Sequence, residues 1–486
     1  MASESGPVKP RTAERNILDA GANPDGRTLN TSTIQGVIDD VHRAGGGTVY
    51  APPGTFLIGG LELKSGVTLF VEAGCTLLGS PSIEDYTFHP GPPKDADANG
   101  CHVLFAQDAD DVSICGTGTI DGQGPAYWEP TVGRAPTRSE DAWMEGATGW
   151  YWVRNNNRRP SPMIEFAGCR NVHVRDLTLK NSSGWTLRPI ACDTVVIDAI
   201  RIRNPVFGPN TDGLDITACR NVFVSNCDII TGDDAICLKS ENAYSKVSLT
   251  SNINVTRCKL SGCCNGFKIG TGTSGQFENI VVSDLTVFNP NVPFNQRIIA
   301  GIALEMVDGG SVDGVRISGV TMQRARAPIF IRLGNRNPGP SGSAGSLRNI
   351  SISGVQATGT ILTSSISGLK GDPVGDITLS DIHVESEEGG REDWIRGEVP
   401  EQEHSYPEAK MFGRLPAYGL YCRHARRIHI NGFDLSGAPS EGRPPFFFDD
   451  VEDSDIAGLR ASPSHGAKHL VEMSHCHNVK VQESAA

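Results

Sequence analysis

Asn171-Val172-His173-Val174, Asn221-Val222-Phe223-Val224, Asn252-Ile253-Asn254-Val255 and Asn279-Ile280-Val281-Val282 are four versions of one phrase. Each opens on asparagine and continues with the alternation of a β-strand whose two faces meet different surroundings. The apolar mark after the asparagine position recurs at Val112, Val172, Val195, Val222, Ile253, Ile280, Val315, Ile350, Ile377, Ile428, Ile456 and Val479. The intervals are 60, 23, 27, 31, 27, 35, 35, 27, 51, 28 and 23 residues, so all but two lie between 23 and 35, and those two have the size of doubled or inserted coils. Such a period marks a solenoid. No long segment shows helical spacing, and 56 glycines and 30 prolines supply turns between short strands. In a parallel stack each strand satisfies its N–H and C=O groups on the coils above and below. The prediction is an all-β fold, a right-handed parallel β-helix.

No low-complexity linker interrupts the repeat between Val112 and Val479. Residues 1–30 read as a polar segment leading into the first coil, and 31–486 as a single β-helix domain with insertions near 80–100, 125–160 and 386–418. The net charge of −13 argues against a nucleic-acid partner, since grip on phosphates needs a basic stripe, although a local basic cleft remains compatible with it. No apolar run reaches signal-peptide or membrane-spanning length, so no membrane partner is expected. Thirteen cysteines lack zinc-like CxxC spacing, and Cys169, Cys192 and Cys219 recur three residues before their coil's apolar mark. Stacked thiols fit this better than disulfides. A reduced protein points to the cytoplasm, the alternative being a secreted or periplasmic enzyme whose leader has been removed. The sequence leaves the oligomeric state open.

Asn210-Thr211-Asp212-Gly213-Leu214-Asp215 and Gly232-Asp233-Asp234 carry the chemistry. Setting Gly213, Ala235, Gly266, Gly301 and Pro328 side by side aligns five coils. Asp215, Cys237, Lys268, Ala303 and Phe330 then form one outward column, and Thr217, Lys239, Gly270, Glu305 and Arg332 the next. Asp212, Asp234 and Asn265 form a third. Acids beside Lys239, Lys268 and Arg332 suit a polar, anionic sugar. Glycoside hydrolysis needs a carboxyl group that stays protonated and a carboxylate that activates water or attacks carbon. Crowding three acids raises the pKa of at least one of them.

At these residues the chain resembles the polygalacturonase-like glycoside hydrolase family 28, from about Ala20 through Gly46–Gly54 and Asp121-Gly122-Gln123-Gly124 to at least Gly301. The resemblance implies an inverting hydrolase of pectin with no metal or organic cofactor. It makes Asp233 the general acid, has Asp212 and Asp234 hold and deprotonate the water, and gives Asn210 an orienting role. Two features depart from the family. Its Gly-His-Gly reads Cys264-Asn265-Gly266, and its carboxylate-gripping Arg-Ile-Lys reads Ala303-Leu304-Glu305. Lys239, Lys268 and Arg332 are the candidates to have taken over that grip.

Each residue also has an ordinary reading. Asp212 and Asp215 beside a glycine could shape a turn, Lys268 could be a counter-ion for Asp215, Arg332 could pair with Glu305, and Asn265 could belong to an asparagine ladder. His424 has no acid partner visible in sequence. Trp128, Trp143, Trp150, Tyr151 and Trp152 either close one end of a cleft, favouring exo cleavage, or cap the coil's open core. The stretch from Tyr406 to Tyr418 reads as a loop along the helix side. The competing functions are hydrolysis of a neutral or rhamnose-bearing linkage, a non-catalytic carbohydrate-binding β-helix, and a polysaccharide lyase or epimerase.

Overall fold

The computed structural model describes residues 13–89, 100–131, 152–155, 158–241, 248–289, 297–339, 342–387, 389–390, 398–461 and 469–483. All their strands but two join into one continuous parallel sheet system wound as a right-handed parallel β-helix, and Trp128–Thr131 pairs separately, antiparallel, with Trp152–Asn155. The marks Val112, Val172, Val195, Val222, Ile253, Ile280, Val315, Ile350, Ile377 and Ile428 lie opposite one another, rung after rung. One expected mark slips: Ile456 pairs with Ile430, while Val479 pairs with Ser454, two residues before Ile456 and back in line with Ile428. A slip of two residues keeps the same face of the strand turned inward, which is why the apolar pattern alone missed it.

The asparagine that opens each phrase is a corner. Asn221, Asn252 and Asn279 sit at φ 57°, 56° and 53°, a left-handed conformation that asparagine tolerates better than most residues. Their amides form a ladder: Asn279 donates to Asn252 (2.8 Å), Asn252 to Asn221 (3.0 Å), and Asn221 to Asp193 (2.8 Å). Asn265 lies outside this ladder. The cysteines are free thiols; Cys169, Cys192 and Cys219 stack as a buried column, the Cys192 N–H lying 3.4 Å from Cys219 Sγ.

Two expectations need correction. Strands Ala13–Asn16 and Asp25–Leu29 already pair with Gly47–Ala51 and Gly54–Ile58, so the coil begins ahead of residue 31. A helix also exists, Thr31–Arg43, which buries Ile34, Val37, Ile38 and Val41 against the first rungs. These four follow helical spacing over a segment of only 13 residues. This helix closes the N-terminal end of the coil, so that end needs no tryptophan cap.

Candidate active site

Strands Leu187–Ile190, Leu214–Thr217, Ile236–Lys239, Asn265–Ile269, Ala300–Met306 and Ala327–Leu333 are consecutive rungs. Their register matches the one read from sequence, so Asp215, Cys237, Lys268, Ala303 and Phe330 stand in one column. Gly213 N–H donates to the Asp234 carbonyl and Ala235 N–H to that of Asn265, both at 2.9 Å, which sets Asp212, Asp234 and Asn265 on neighbouring coils. The approach is too close for a side chain: a Cβ at Gly213 would lie 2.3 Å from the Ala235 carbonyl oxygen. Gly232 is equally constrained by the Gly208 carbonyl. The glycines of both acid motifs are therefore packing requirements of the coil that carries the acids.

Adjacent carboxyl groups have opposite surroundings. Asp234 is 3% exposed; it accepts hydrogen bonds from Asn265 N–H (3.0 Å) and the Asn265 amide (2.8 Å), and lies 3.0 Å from the Lys268 ammonium. Burial pushes its pKa up, but Lys268, Lys239 and the Asn265 amide overcome that and hold it below the ordinary carboxylate value. Asp233 is half-buried, and burial followed by the charge on Asp234 pushes it up to about 7. Asp212 is buried and crowded by Asp233, Asp215 and Asp234, so its pKa is raised well above the usual range. Asp212, Asp215, Asp233, Asp234 and Glu305 are five carboxyl groups facing the two ammonium groups of Lys239 and Lys268. Protons must stay on some of these acids at neutral pH.

Asn265 stands where the family has histidine, and Cys264 where it has the preceding glycine. The Cys264 thiol hydrogen-bonds Asp233 and slightly lowers the pKa of that acid. Oxygens of Asp233 and Asp234 and the Cys264 sulfur lie within 4.8 Å of one another, the closest approach to a metal-ligand set among the described residues. Asn210, at φ 51°, is half-buried in the turn before Asp212, its side-chain oxygen 3.4 Å from Arg159. Lys239 keeps 13% side-chain exposure; it lies 3.9 Å from Asp215, 3.2 Å from the Thr271 carbonyl oxygen and 5.1 Å from the centre of the Trp185 ring.

The outward columns are not solvent-facing as the alternation implied. Lys268 is 1% exposed and bridges Asp234 and Glu305 (3.3 Å) rather than serving Asp215 or reaching open solvent. Arg332 is fully buried two rungs beyond Lys268. Although in register with Glu305, it donates to Ser367, the Gly368 carbonyl and the Glu401 carbonyl (2.7 Å), with its guanidinium over Phe412. The reason is a covering segment: Ala409, Met411 and Phe412 pack on Ala300, Ala303 and Phe330, sealing the sheet face one rung past Asn265. Its stem is pinned through Glu401, which lies 2.7 Å from Arg423 and 2.9 Å from His424. His424 thus has two acid partners, the other being Asp450 at 2.5 Å. Tyr418 and Arg423 are buried and structural. Tyr406, whose hydroxyl lies 3.4 Å from the Lys268 ammonium, brings the loop expected along the helix side into the site.

On the other side of the acids, Glu165 and Arg188 form a buried pair (3.1 Å) and Arg188 lies over Trp185. Trp128 is buried: its indole donates to the Ser183 carbonyl (2.9 Å), and its ring abuts Gly208, in the turn that leads to Asp212. It flanks the site instead of capping the coil. Trp143, Trp150, Tyr151 and the Trp152 side chain lie outside the described residues.

Residues 48–403 match the family model described as glycosyl hydrolases family 28, and the chain belongs to that family and is a glycoside hydrolase. A probable polygalacturonase of Vitis vinifera is 26% identical over 410 residues, covering 79% of this chain and 76% of its own. An exopolygalacturonase of Zea mays is 24% identical over 384 residues, covering 76% and 83%. Among solved structures, a hyperthermoactive exopolygalacturonase from Thermotoga maritima is similar, with TM-score 0.64 and 25% identity over 77% of this chain and 87% of that one.

Proposed function

We propose that the enzyme hydrolyses a pectin-type chain, built of galacturonate or rhamnogalacturonan, from one end and with inversion at the anomeric carbon. Asp233 is the general acid: it is the most accessible carboxyl of the cluster and holds its proton up to about pH 7. Asp234, kept ionised by Lys268, is the base, and Asp212 with it positions the attacking water. Asn210 orients the turn that carries Asp212. The observation that carries the reading is this split between neighbours, one carboxyl kept protonated and the next kept charged, as acid–base hydrolysis requires.

End-wise cleavage is supported by the seal at Ala300 and Ala303, which stops the groove one rung past Asn265. A long chain cannot run through a wall. The exopolygalacturonase relatives support the same mode. Free buried thiols suit a reducing compartment, where short imported oligosaccharides would be the substrate. The test is a time course on pectin-derived oligosaccharides followed by chromatography and by proton NMR of the newly formed reducing end. Release of terminal units with inverted configuration is expected; a random ladder of fragments or retained configuration overturns the reading.

A further inference from the structure

From the charges around Lys268 and the ring of Tyr406 we infer that the sugar unit bound on the Lys268 side of the acids carries no carboxylate and lies on Tyr406. This deepens the proposed hydrolase reading and rests on it. On that side the described cations are already engaged. Lys268 is held by Asp234 and Glu305 at 3.0 and 3.3 Å. Arg332 is fully buried beneath Phe412 with its donors on Ser367, Gly368 and Glu401. Arg336 is paired with Asp308 at 2.8 Å, and Lys410 with Glu408 at 3.3 Å. A carboxylate entering here would meet Asp234, Glu305 and Glu408 and find no open ammonium or guanidinium among these described cations. Anion binding in such a site is unfavourable, because a buried charge must be paired.

The same wall offers an aromatic face. Tyr406 is 42% exposed, unusual for a ring whose hydroxyl touches a buried lysine. Lys268 and Arg336 each lie 5.5 Å from its ring centre, fixing the ring from two sides. A rigid, half-open aromatic beside reacting acids is a platform for the apolar face of a pyranose ring, whose C–H groups gain contact there without needing charge. Tyr406 also lies past residue 403, where the family match ends. The linkage such a ring fits joins a uronate to a neutral sugar, with Lys239, over the Trp185 ring, partly accessible for the uronate.

The experiment compares oligogalacturonate with oligosaccharides in which galacturonate alternates with a neutral sugar, using the full chain and its Tyr406→Ala, Tyr406→Phe and Glu305→Gln variants. The alternating substrate should be cleaved with the higher kcat/KM. Tyr406→Ala should lower that value roughly ten- to hundredfold, mainly through KM, the scale of losing one buried aromatic face. Tyr406→Phe, which keeps the ring, should retain most of it. Glu305→Gln should shift preference toward oligogalacturonate by releasing part of the Lys268 charge. Equal or faster cleavage of oligogalacturonate by the unaltered enzyme, or an unchanged KM in Tyr406→Ala, overturns the inference while leaving the hydrolase intact. If neither chain is cleaved the pectin reading fails, and calorimetry on Asp233→Asn still decides this one: tighter binding of oligogalacturonate than of the alternating chain refutes it.

Discussion

Replacing Lys268 with methionine tests whether one ammonium group divides the acids into donor and base. Lys268 lies 3.0 Å from Asp234 and 3.3 Å from Glu305. At an effective dielectric of about 20, each attraction is worth about 5 kcal/mol before desolvation is charged against it. If about half survives, Asp234 loses roughly 2.5 kcal/mol of preference for its charged form, or about two pKa units. The Asn265 hydrogen bonds remain and limit the rise. Asp234 must be ionised to act, so the acidic limb of kcat/KM against pH should move up by roughly two units in the variant, toward the basic limb set by Asp233 near 7, and the window between them should narrow. Stability has its own sign. The depressed Asp234 pKa stabilises the fold above the unfolded carboxylate range and loses that contribution as pH falls. The deficit of the variant in denaturant melts, roughly 3–5 kcal/mol for a broken buried pair, should therefore be largest near neutral pH and shrink in acid. Adding Glu305→Gln should recover part of it, because one stranded carboxylate is removed. An unmoved acidic limb together with a pH-independent deficit would refute the assignment of Lys268 as the group that keeps Asp234 charged.

Wild-type kcat/KM should fall about tenfold per pH unit above about 7, as the Asp233 proton is lost; a profile flat to pH 9 contradicts its role. Asp233→Asn should lose on the order of 10²–10⁴ in kcat while still binding substrate by calorimetry. Because the folded pKa of Asp233 is raised, the folded state holds an extra proton between the unfolded value and about 7, and stability declines as pH climbs through that window. Asp233→Asn should therefore be more stable than wild type at pH 8 by roughly 1–3 kcal/mol, an advantage that vanishes near pH 4; equal melting at both pH values argues against a strained carboxyl. Phe412→Ala should cost about 3–5 kcal/mol and, by opening the seal, add internal cuts to the product profile; an unchanged chromatogram would place the groove's end elsewhere.

The fold could be read because each coil repeats its own chemistry: an asparagine corner and an alternating strand are local, and local signals survive in sequence. The register that brings Asp212, Asp233 and Asp234 together follows from the same repeat. What lay beyond reach was the far side of the outward columns. Alternation says that Lys268, Glu305 and Arg332 leave the core, but cannot say what they meet. Lys268 meets Tyr406 across 138 residues, and Arg332 meets Glu401 across 69. The covering segment has no period to recognise; the 51-residue interval between Ile377 and Ile428 marks it as an insertion and a loop, but not what it covers. The partners of His424, Glu401 and Asp450, were invisible in sequence for the same reason, being 23 and 26 residues away.

The covering segment is fastened at its base by Arg332, Arg423 and His424, while Tyr406, beyond that anchorage, reaches the site. Such a part is interchangeable. Its tip can be rewritten by mutation without loosening the clamp, so a lineage could acquire a new sugar preference by editing a few positions around Tyr406 while inheriting the acids on the rungs below.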